Sequence, residues 1–269
     1  MHIDAEVHFW KYGNGIQNPL VRDHKLLQEH FLPEQIRQSL QRNGIDACIA
    51  VSAERTELET RFLCELSLTY PFLRGVIGWI DLFDPGAAEK LEELHIYAPI
   101  RGYQLEFVQD RFLPESVMLS LAQYQYTLDV NLKADIDPVA CSQWLYAHPA
   151  QSFILQQAGN PVTKNPPANG WEGLVRTLAK NKNLSCKLSG FIPRGNQKTW
   201  KPADFYPFLD ILFDAFGIER LLFASDWPFL LLSGMYVQWK SLLEKYTEKF
   251  LPEDRDKLFG ENARRLYRL

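Results

Sequence analysis

Three side chains near the two ends of the sequence have the types and spacing of a hydrolytic or metal-binding site. Glu6 and His8 stand two residues apart in the short apolar run 3–10 (IDAEVHFW). Residues two apart in a strand point to the same side, so Glu6 and His8 would face one interior. Together they can hold a metal ion or move a proton, although an ordinary buried strand with a hydrogen-bonded His8 fits the same pattern. A second apolar run, 221–228 (LLFASDWP), carries the carboxylate of Asp226 at its end.

An alternation of strand and helix patterns runs through the whole chain. The predicted strands are 3–8, 47–51, 75–80, 100–107, 126–132, 152–157, 184–188 and 220–225. The predicted helices begin near residues 33, 56, 87, 114, 137, 171 and 203, and two more follow at 236–249 and 253–267. Eight such repeats in 269 residues predict one domain, residues 1–269, folded as a (β/α)8 TIM barrel. An open doubly wound sheet is the alternative, but no GxGxxG follows a predicted strand.

The active site of such a barrel lies at the carboxyl ends of its strands. Polar residues stand at these ends in addition to the first three: Gln104, Glu106, Asn131, Lys133, Gln156, Gln157, Lys187 and Ser189. Two long loops, 159–170 and 190–201, follow the sixth and seventh predicted strands. Polar groups of this kind form a satisfied network or a site, and their position at a barrel mouth favours a site.

The composition excludes several classes of protein. A net charge of −4 argues against a nucleic-acid partner, which needs a basic surface. We find neither a signal-peptide pattern nor the roughly 18 apolar residues that cross a membrane. The cysteines lack CxxC spacing and predict buried free thiols: Cys48, Cys64, Cys141 and Cys186. We therefore expect a cytoplasmic protein that acts on a small molecule, with no membrane partner; the sequence gives no oligomeric state.

Six segments, in order along nearly the whole chain, match the motifs of one family. Residues 3–10 resemble I-D-A-H-x-H-F-W, 75–82 resemble G-V-V-G-W-V-D-L, 186–190 match C-K-L-S-G, 223–228 resemble F-G-S-D-W-P, 259–263 resemble F-G-x-N-A, and 59–66 resemble its second helix more loosely. The chain thus resembles the amidohydrolase superfamily, in its lactonase-like amidohydrolase 2 branch, which includes L-fucono-1,5-lactonase and L-rhamnono-lactonase. The resemblance implies a hydrolase that opens a small sugar lactone or a related cyclic ester.

The polar positions depart from the family pattern in three places. Glu6 replaces the first histidine of H-x-H, Gln157 replaces the histidine of D-H-L-G-K-P, and Gln104-Leu105 replace an R-H pair. The remaining set of Glu6, His8 and Asp226 is rich in oxygen, which suits Mn²⁺ or Mg²⁺ better than Zn²⁺. The sequence favours hydrolysis without a metal, and one divalent ion (Mn, Mg or Zn) on these residues is the alternative.

The resemblance also assigns roles within the site. We expect Asp226, which matches the strand-eight carboxylate of the family, to be the base for water; its alternative is a structural acceptor of backbone N–H groups. Lys187 is expected to anchor the oxyanion or substrate, unless it forms a salt bridge to Glu6 or Asp226, and His8 to polarise the carbonyl or shuttle the proton. Substrate contacts are expected from Gln104, Glu106, Lys133, Gln157, Trp10 and Trp227, although both tryptophans fit packing at the rim equally well.

Two further functions stay open at this stage. Some relatives in the superfamily decarboxylate aromatic acids with a Glu-x-His pair and a divalent metal, which makes a lyase the second hypothesis. The loss of histidines and arginine fits a third hypothesis, a binding protein that kept the pocket and lost the chemistry. If Glu6, Glu106 and Asp226 converge, at least one of their pKa values would be raised.

Overall fold

The molecule is an eight-stranded parallel barrel. The structure, a computed structural model, describes residues 1–13, 15–109, 111–133, 136–161, 170–191 and 200–269. The strands, paired in chain order, are β1 (Ile3–Val7), β2 (Ala47–Val51), β3 (Leu73–Gly78), β4 (Ile100–Glu106), β5 (Thr127–Asn131), β6 (Phe153–Leu155), β7 (Leu184–Leu188) and β8 (Leu221–Phe223). Just past β8, Trp227 forms a parallel bridge with Val7, and the Asp226 N–H donates to the Glu6 carbonyl at 3.0 Å. The predicted TIM barrel is therefore confirmed.

Helices return the chain between successive strands. They are α1 (Pro19–Asp23), α2 (Pro33–Arg42), α3 (Glu57–Thr69), α4 (Ala87–Leu94), α5 (Glu115–Gln123), α6 (Pro138–Ala147), α7 (Trp171–Leu178), α8 (Tyr206–Phe216), α9 (Tyr236–Thr247), α10 (Pro252–Asp256) and α11 (Asn262–Tyr267). Several begin where the sequence supplies a cap: Thr56 accepts from the Glu59 N–H, and Asp137 accepts from the Val139 N–H. Proline fills the first turn of α2, where its missing N–H costs nothing.

The structure differs from the predicted elements in three places. The stretch predicted as irregular, 9–32, contains the short helix α1 and a 3-10 turn at Lys25–Leu27. The helix predicted at 253–267 is interrupted by a π-helical turn at Lys257–Glu261, where a side chain on Gly260 would collide with the backbone of Met1. Most of the two loops predicted at 159–170 and 190–201 lies outside the described residues.

The interior of the barrel contains a small apolar cluster and a buried ion pair. The cluster takes alternate residues of several strands and the last helix, among them Ala5, Ile49, Ile154, Leu222 and Tyr267. A larger apolar layer lies between the strands and the helices. Within the barrel, Lys187 on β7 donates to Asp129 on β5 at 2.6 Å, and the Tyr267 hydroxyl donates to the same carboxylate at 3.2 Å.

Strand β1 departs from strict alternation. Its pairing with β2 shifts register between Asp4 and Val7. Asp4 consequently accepts hydrogen bonds from the Ser225 N–H and from the Tyr236 hydroxyl on α9, both at 2.9 Å. Burial raises the pKa of Asp4 to about 6, although these hydrogen bonds lower it. The irregularity therefore separates Asp4 from the surroundings of Glu6, two residues further along.

The cysteines agree with the prediction from the sequence. All four cysteines are buried free thiols, as the sequence predicts. Within the part of the chain that the structure describes, no helix has both the length and the apolar character needed to cross a membrane.

Candidate functional site

Glu6, His8 and Asp226 converge at the carboxyl end of the barrel. One ligand-type atom from each lies within 4.8 Å of the other two, and all three residues are buried. His8 Nε2 lies 3.2 Å from Asp226 Oδ1 and 3.9 Å from Glu6 Oε1. The chain closure between β8 and β1 produces this geometry, because the His8 N–H donates to the Trp227 carbonyl at 2.7 Å. The three residues singled out in the sequence are thus brought together.

The hydrogen bonds of His8 define how its ring is presented. His8 Nδ1 lies 2.8 Å from the Val51 carbonyl oxygen at the end of β2. A carbonyl oxygen only accepts, so Nδ1 carries a proton and donates it. Nε2 therefore faces two carboxylates, which is favourable only when a proton or a metal ion lies between them. The ring of Phe229 packs edge-on against the imidazole, with 5.0 Å between centroids, and limits its rotation.

The Glu6 carboxyl is the most deeply buried of the three. It accepts a hydrogen bond from the Ser189 hydroxyl, just past β7. Burial raises the pKa of Glu6 above its ordinary value; Lys187 and His8 oppose this shift, whereas the Asp226 carboxylate adds to it. The site therefore gathers negative charge that a bound cation would relieve.

Gln157, which lines the cavity, donates to the Asp226 carboxylate behind it. Its Nε2 lies 3.3 Å from Asp226 Oδ1 and 3.2 Å from Oδ2. Gln157, Ala158 and Asp226 all adopt the left-handed backbone region, with φ of +49°, +48° and +59°. Gly190, also at positive φ, permits the approach, since a Cβ there would lie 2.7 Å from Gln157 Cβ. Strained backbone of this kind is concentrated at functional sites, where the surrounding packing maintains it.

A cavity of about 600 Å³ opens above these residues. Its lining comes from the ends of several strands and from the segment before α1: Glu6, His8, Gln17, Asn18, Pro19, Leu20, Ser52, Ala53, Glu54, Arg55, Gln104, Asn131, Gln156, Gln157 and Phe229. Amide side chains dominate the polar part of this lining. Gln104 donates to the Ser52 carbonyl at 2.6 Å, and Gln156 approaches Gln104 at 3.5 Å, so the amides are held in fixed orientations. Asp226 lies behind His8 and Gln157.

Lys187 lies inside the barrel, below the cavity at which the sequence predicted it. Its ammonium has no exposed surface and is paired with Asp129. Burial lowers the pKa of Lys187, but Asp129 and Glu6 raise it by more, so the side chain is a buried cation. The structure therefore does not bring Lys187 to the cavity, and its salt-bridge partner is Asp129 instead of the expected Glu6 or Asp226.

Four other expected contact residues do not line the described cavity. Glu106 points to the rim, where it pairs with Arg55 and, at 2.7 Å, with Lys133. Glu106 therefore does not join Glu6 and Asp226; burial works to raise its pKa, but Lys133 and Arg55 lower it below the ordinary value. Trp10 and Trp227 are 3% and 5% exposed and pack against Phe31 with 5.0 and 5.3 Å between ring centroids. Both tryptophans are thus buried in aromatic packing, and a contact of either one with substrate stays a prediction.

One side of the cavity consists of residues that were not predicted from the sequence. Residues 52–55 follow β2 directly, and residues 17–20 lie before and within α1; both segments line the cavity. Polar residues follow β2 as they follow six other strands, and the same signal identifies Ser52, Glu54 and Arg55. The pairing of Lys187 with Asp129 had no comparable signal, because Asp129 lies in the middle of a strand.

Comparisons with known proteins agree with this geometry. A family model for amidohydrolases matches residues 3–269. An L-fucono-1,5-lactonase of Burkholderia multivorans is 30% identical over 290 residues, which cover 100% of this chain and 96% of that protein. An L-fucono-1,5-lactonase of Burkholderia ambifaria is 26% identical, with 99% and 95% covered.

A solved structure extends the likeness to three dimensions. The crystal structure of an amidohydrolase from Burkholderia multivorans with bound zinc is 29% identical and superimposes with a TM-score of 0.87, covering 100% of this chain and 99% of that chain. The family model, the full-length relatives and the shared barrel lead to one conclusion: this chain belongs to the amidohydrolase family.

Proposed function

We propose that this protein opens a small neutral sugar lactone by attack of water, with Asp226 as the base. It is a lactonase-type hydrolase of the amidohydrolase family. The observation that carries the proposal is the convergence of Glu6, His8 and Asp226 beneath a cavity of about 600 Å³. A reducing, cytoplasmic location is part of the proposal, because all four cysteines are free thiols.

Each residue of the site has a distinct part in the proposed reaction. Asp226 accepts a proton from the attacking water and returns it to the ring oxygen that leaves, and the Gln157 amide fixes the orientation of its carboxylate. His8 is fixed by its bond to the Val51 carbonyl, and Nε2, when protonated, donates to the carbonyl oxygen that gains negative charge. Lys187 acts from within the barrel as the buried partner of Asp129, without touching the substrate.

The lining of the cavity favours a neutral, hydroxylated substrate. Gln104, Asn131 and Gln156 offer amide donors and acceptors that match sugar hydroxyl groups. Among the described residues that line the cavity, Arg55 is the only lysine or arginine, and Glu106 neutralises its guanidinium. Glu54 and Glu6 also disfavour a substrate carboxylate. We therefore propose a lactone without an acidic substituent.

The residues present fit a divalent metal ion. Two carboxylates and an imidazole nitrogen whose other nitrogen is held by a carbonyl are a suitable donor set for Zn²⁺ or Mn²⁺. Glu6, His8 and Asp226 would hold the ion, which when bound would polarise the lactone carbonyl and make water a stronger acid. Gln157 is a weaker ligand than the histidine of the family pattern, and its amide already donates to Asp226.

The proposed function is tested by a pH-indicator assay against neutral sugar lactones, aromatic lactones and lactones that carry a carboxylate. We expect turnover of neutral sugar lactones, with the acidic lactones at least about tenfold slower. Parallel assays with added Mn²⁺ or Zn²⁺ and with a chelator distinguish metal-assisted hydrolysis from the metal-free hydrolysis that the sequence favoured. Absence of turnover across the panel would refute the lactonase assignment and leave the decarboxylase and binding-protein hypotheses.

Metal binding can be measured without any substrate. We expect Zn²⁺ or Mn²⁺ to raise the Tm of the native protein, and His8→Ala to remove that shift, because the single nitrogen ligand is lost. Gln157→His should tighten binding by on the order of tenfold, since it adds an imidazole beside Asp226. Asp84→Asn, on an exposed turn, is the control. Equal metal responses in the native protein and in His8→Ala would contradict the site.

A further inference from the structure

Residues 52–55, which we call the β2 loop, connect several parts of the cavity. The Ser52 carbonyl accepts from Gln104 on β4, and the Ala53 carbonyl accepts from the Asn18 side chain at 2.7 Å. Arg55 pairs with Glu106 at the end of β4. The position of the β2 loop therefore fixes groups on two neighbouring segments that line the same cavity.

The Glu54 carboxylate makes the connection to the segment that begins α1. It accepts from the Gln17 N–H at 2.8 Å and from the Asn18 N–H at 3.0 Å. Asn18 in turn caps α1, because its side-chain oxygen accepts from the Leu20 N–H at 3.0 Å. In residues 17–20, which we call the α1 entrance, the N–H groups of Gln17 and Asn18 thus depend on the β2 loop for their hydrogen bonds.

Glu59 holds the β2 loop from the side opposite the cavity. It lies in the first turn of α3 and is 8% exposed. Its two carboxyl oxygens accept from the Ala53 N–H at 3.0 Å and from the Glu54 N–H at 2.7 Å. Glu59 does not line the cavity, so its contribution to any ligand passes through the β2 loop.

We propose that Glu59 is a positioning residue for substrate binding: it fixes the β2 loop, which in turn orders the α1 entrance, so that one whole wall of the cavity depends on it. The inference rests on the proposed lactonase function only for its kinetic readout. A buried carboxyl is costly to maintain, and burial raises the pKa of Glu59 to about 8. That cost is offset by the two loop N–H groups, which would otherwise be unsatisfied, and both lower the pKa.

Hydrogen–deuterium exchange of the full chain tests this inference without any substrate. In Glu59→Ala we expect exchange in peptides that contain the β2 loop and the α1 entrance to be on the order of tenfold faster. Glu59→Gln should be intermediate, since its amide oxygen can accept from one of the two N–H groups. Leu63→Ala, one turn further along α3 and fully buried, is the matched control: it destabilises the same helix without touching these hydrogen bonds. Unchanged exchange at the α1 entrance in Glu59→Ala would overturn the proposal.

Steady-state kinetics then separate positioning from a merely structural role. We expect KM for the lactone to rise about tenfold in Glu59→Ala while kcat changes by less than about threefold. Glu54→Gln alone should also raise KM, and the two effects should be less than additive in the double variant, because part of the effect of Glu59 passes through Glu54. An equal rise in KM in Leu63→Ala, or fully additive effects in the double variant, would overturn the proposal. If exchange is faster in Glu59→Ala but the native protein shows no turnover, the lactonase function is refuted and the positioning role of Glu59 is retained.

Discussion

Asp226→Asn is expected to lower kcat/KM for lactone hydrolysis by on the order of 10³. The change removes a carboxylate that contacts both His8 and Gln157, and with it the proposed base for water. Asparagine is the right replacement, since Asp226 has a φ of +59° and asparagine tolerates the left-handed region far better than alanine does. The rate should be measured at several pH values. Asparagine cannot act as a base at any pH, so we expect the rate to stay low over the whole pH range in which the protein is folded.

The controls for Asp226→Asn concern folding. The backbone N–H of residue 226 still donates to the Glu6 carbonyl in the variant, so the closure of the barrel is retained. We expect the circular dichroism spectrum to be unchanged. Asp84→Asn, which removes a carboxylate from an exposed turn, should keep full activity. A rate for Asp226→Asn within tenfold of the native enzyme would show that Asp226 is a structural acceptor and that the base lies elsewhere.

Lys187→Met is expected to reduce the free energy of unfolding by about 3–5 kcal/mol. The substitution conserves the length of the side chain but leaves the buried Asp129 carboxylate with the hydroxyls of Tyr267 and Thr127 as partners. An uncompensated buried charge is strongly destabilising, whereas a complete buried pair is close to neutral. Urea unfolding followed by circular dichroism measures the loss, and for a chain of this size the Tm should fall by on the order of 10 °C.

The double variant Lys187→Met/Asp129→Asn tests the cause of that loss. Removing both charges should recover most of the lost stability, because no unpaired ion remains in the barrel. If Lys187→Met does not fold, the double variant still discriminates: a stable double variant supports the pair, and an equally unstable one shows that Lys187 matters through packing. Stability of Lys187→Met within about 1 kcal/mol of the native protein would contradict the assignment of Lys187 as the obligatory partner of Asp129.

The sequence predicts the barrel and the centre of the site for the same physical reason. Parallel strands bury both faces, so their apolar runs are easy to recognise, and barrel closure places all strand ends on one face. Glu6 and His8 were therefore expected to meet Asp226, although Asp226 is more than 200 residues away from both in the sequence. The two departures from histidine, at Glu6 and Gln157, were also visible before the structure.

The partners of buried charges could not be predicted in this way. Lys187 stands at a strand end in the sequence, but its long side chain reaches into the barrel to Asp129, and spacing alone does not encode that direction. The sequence left open whether Glu106 joins Glu6, and Arg55 and Lys133 hold it at the rim instead. The role of Asp4 depends on the irregularity in β1, which shifts the register of a strand that otherwise reads as regular.

The contact between Tyr267 and Asp129 has a consequence for synthesis on the ribosome. The first strand emerges long before its neighbour β8, and the hydroxyl that completes the charged core belongs to residue 267. Until β8 has left the exit tunnel, the edge of β1 lacks one neighbour, and until residue 267 follows, the carboxylate of Asp129 lacks one of its three donors. Native packing must therefore be achieved after nearly all of residues 1–267 have been translated, and a nascent chain of this protein presents an open strand edge until β8 is available.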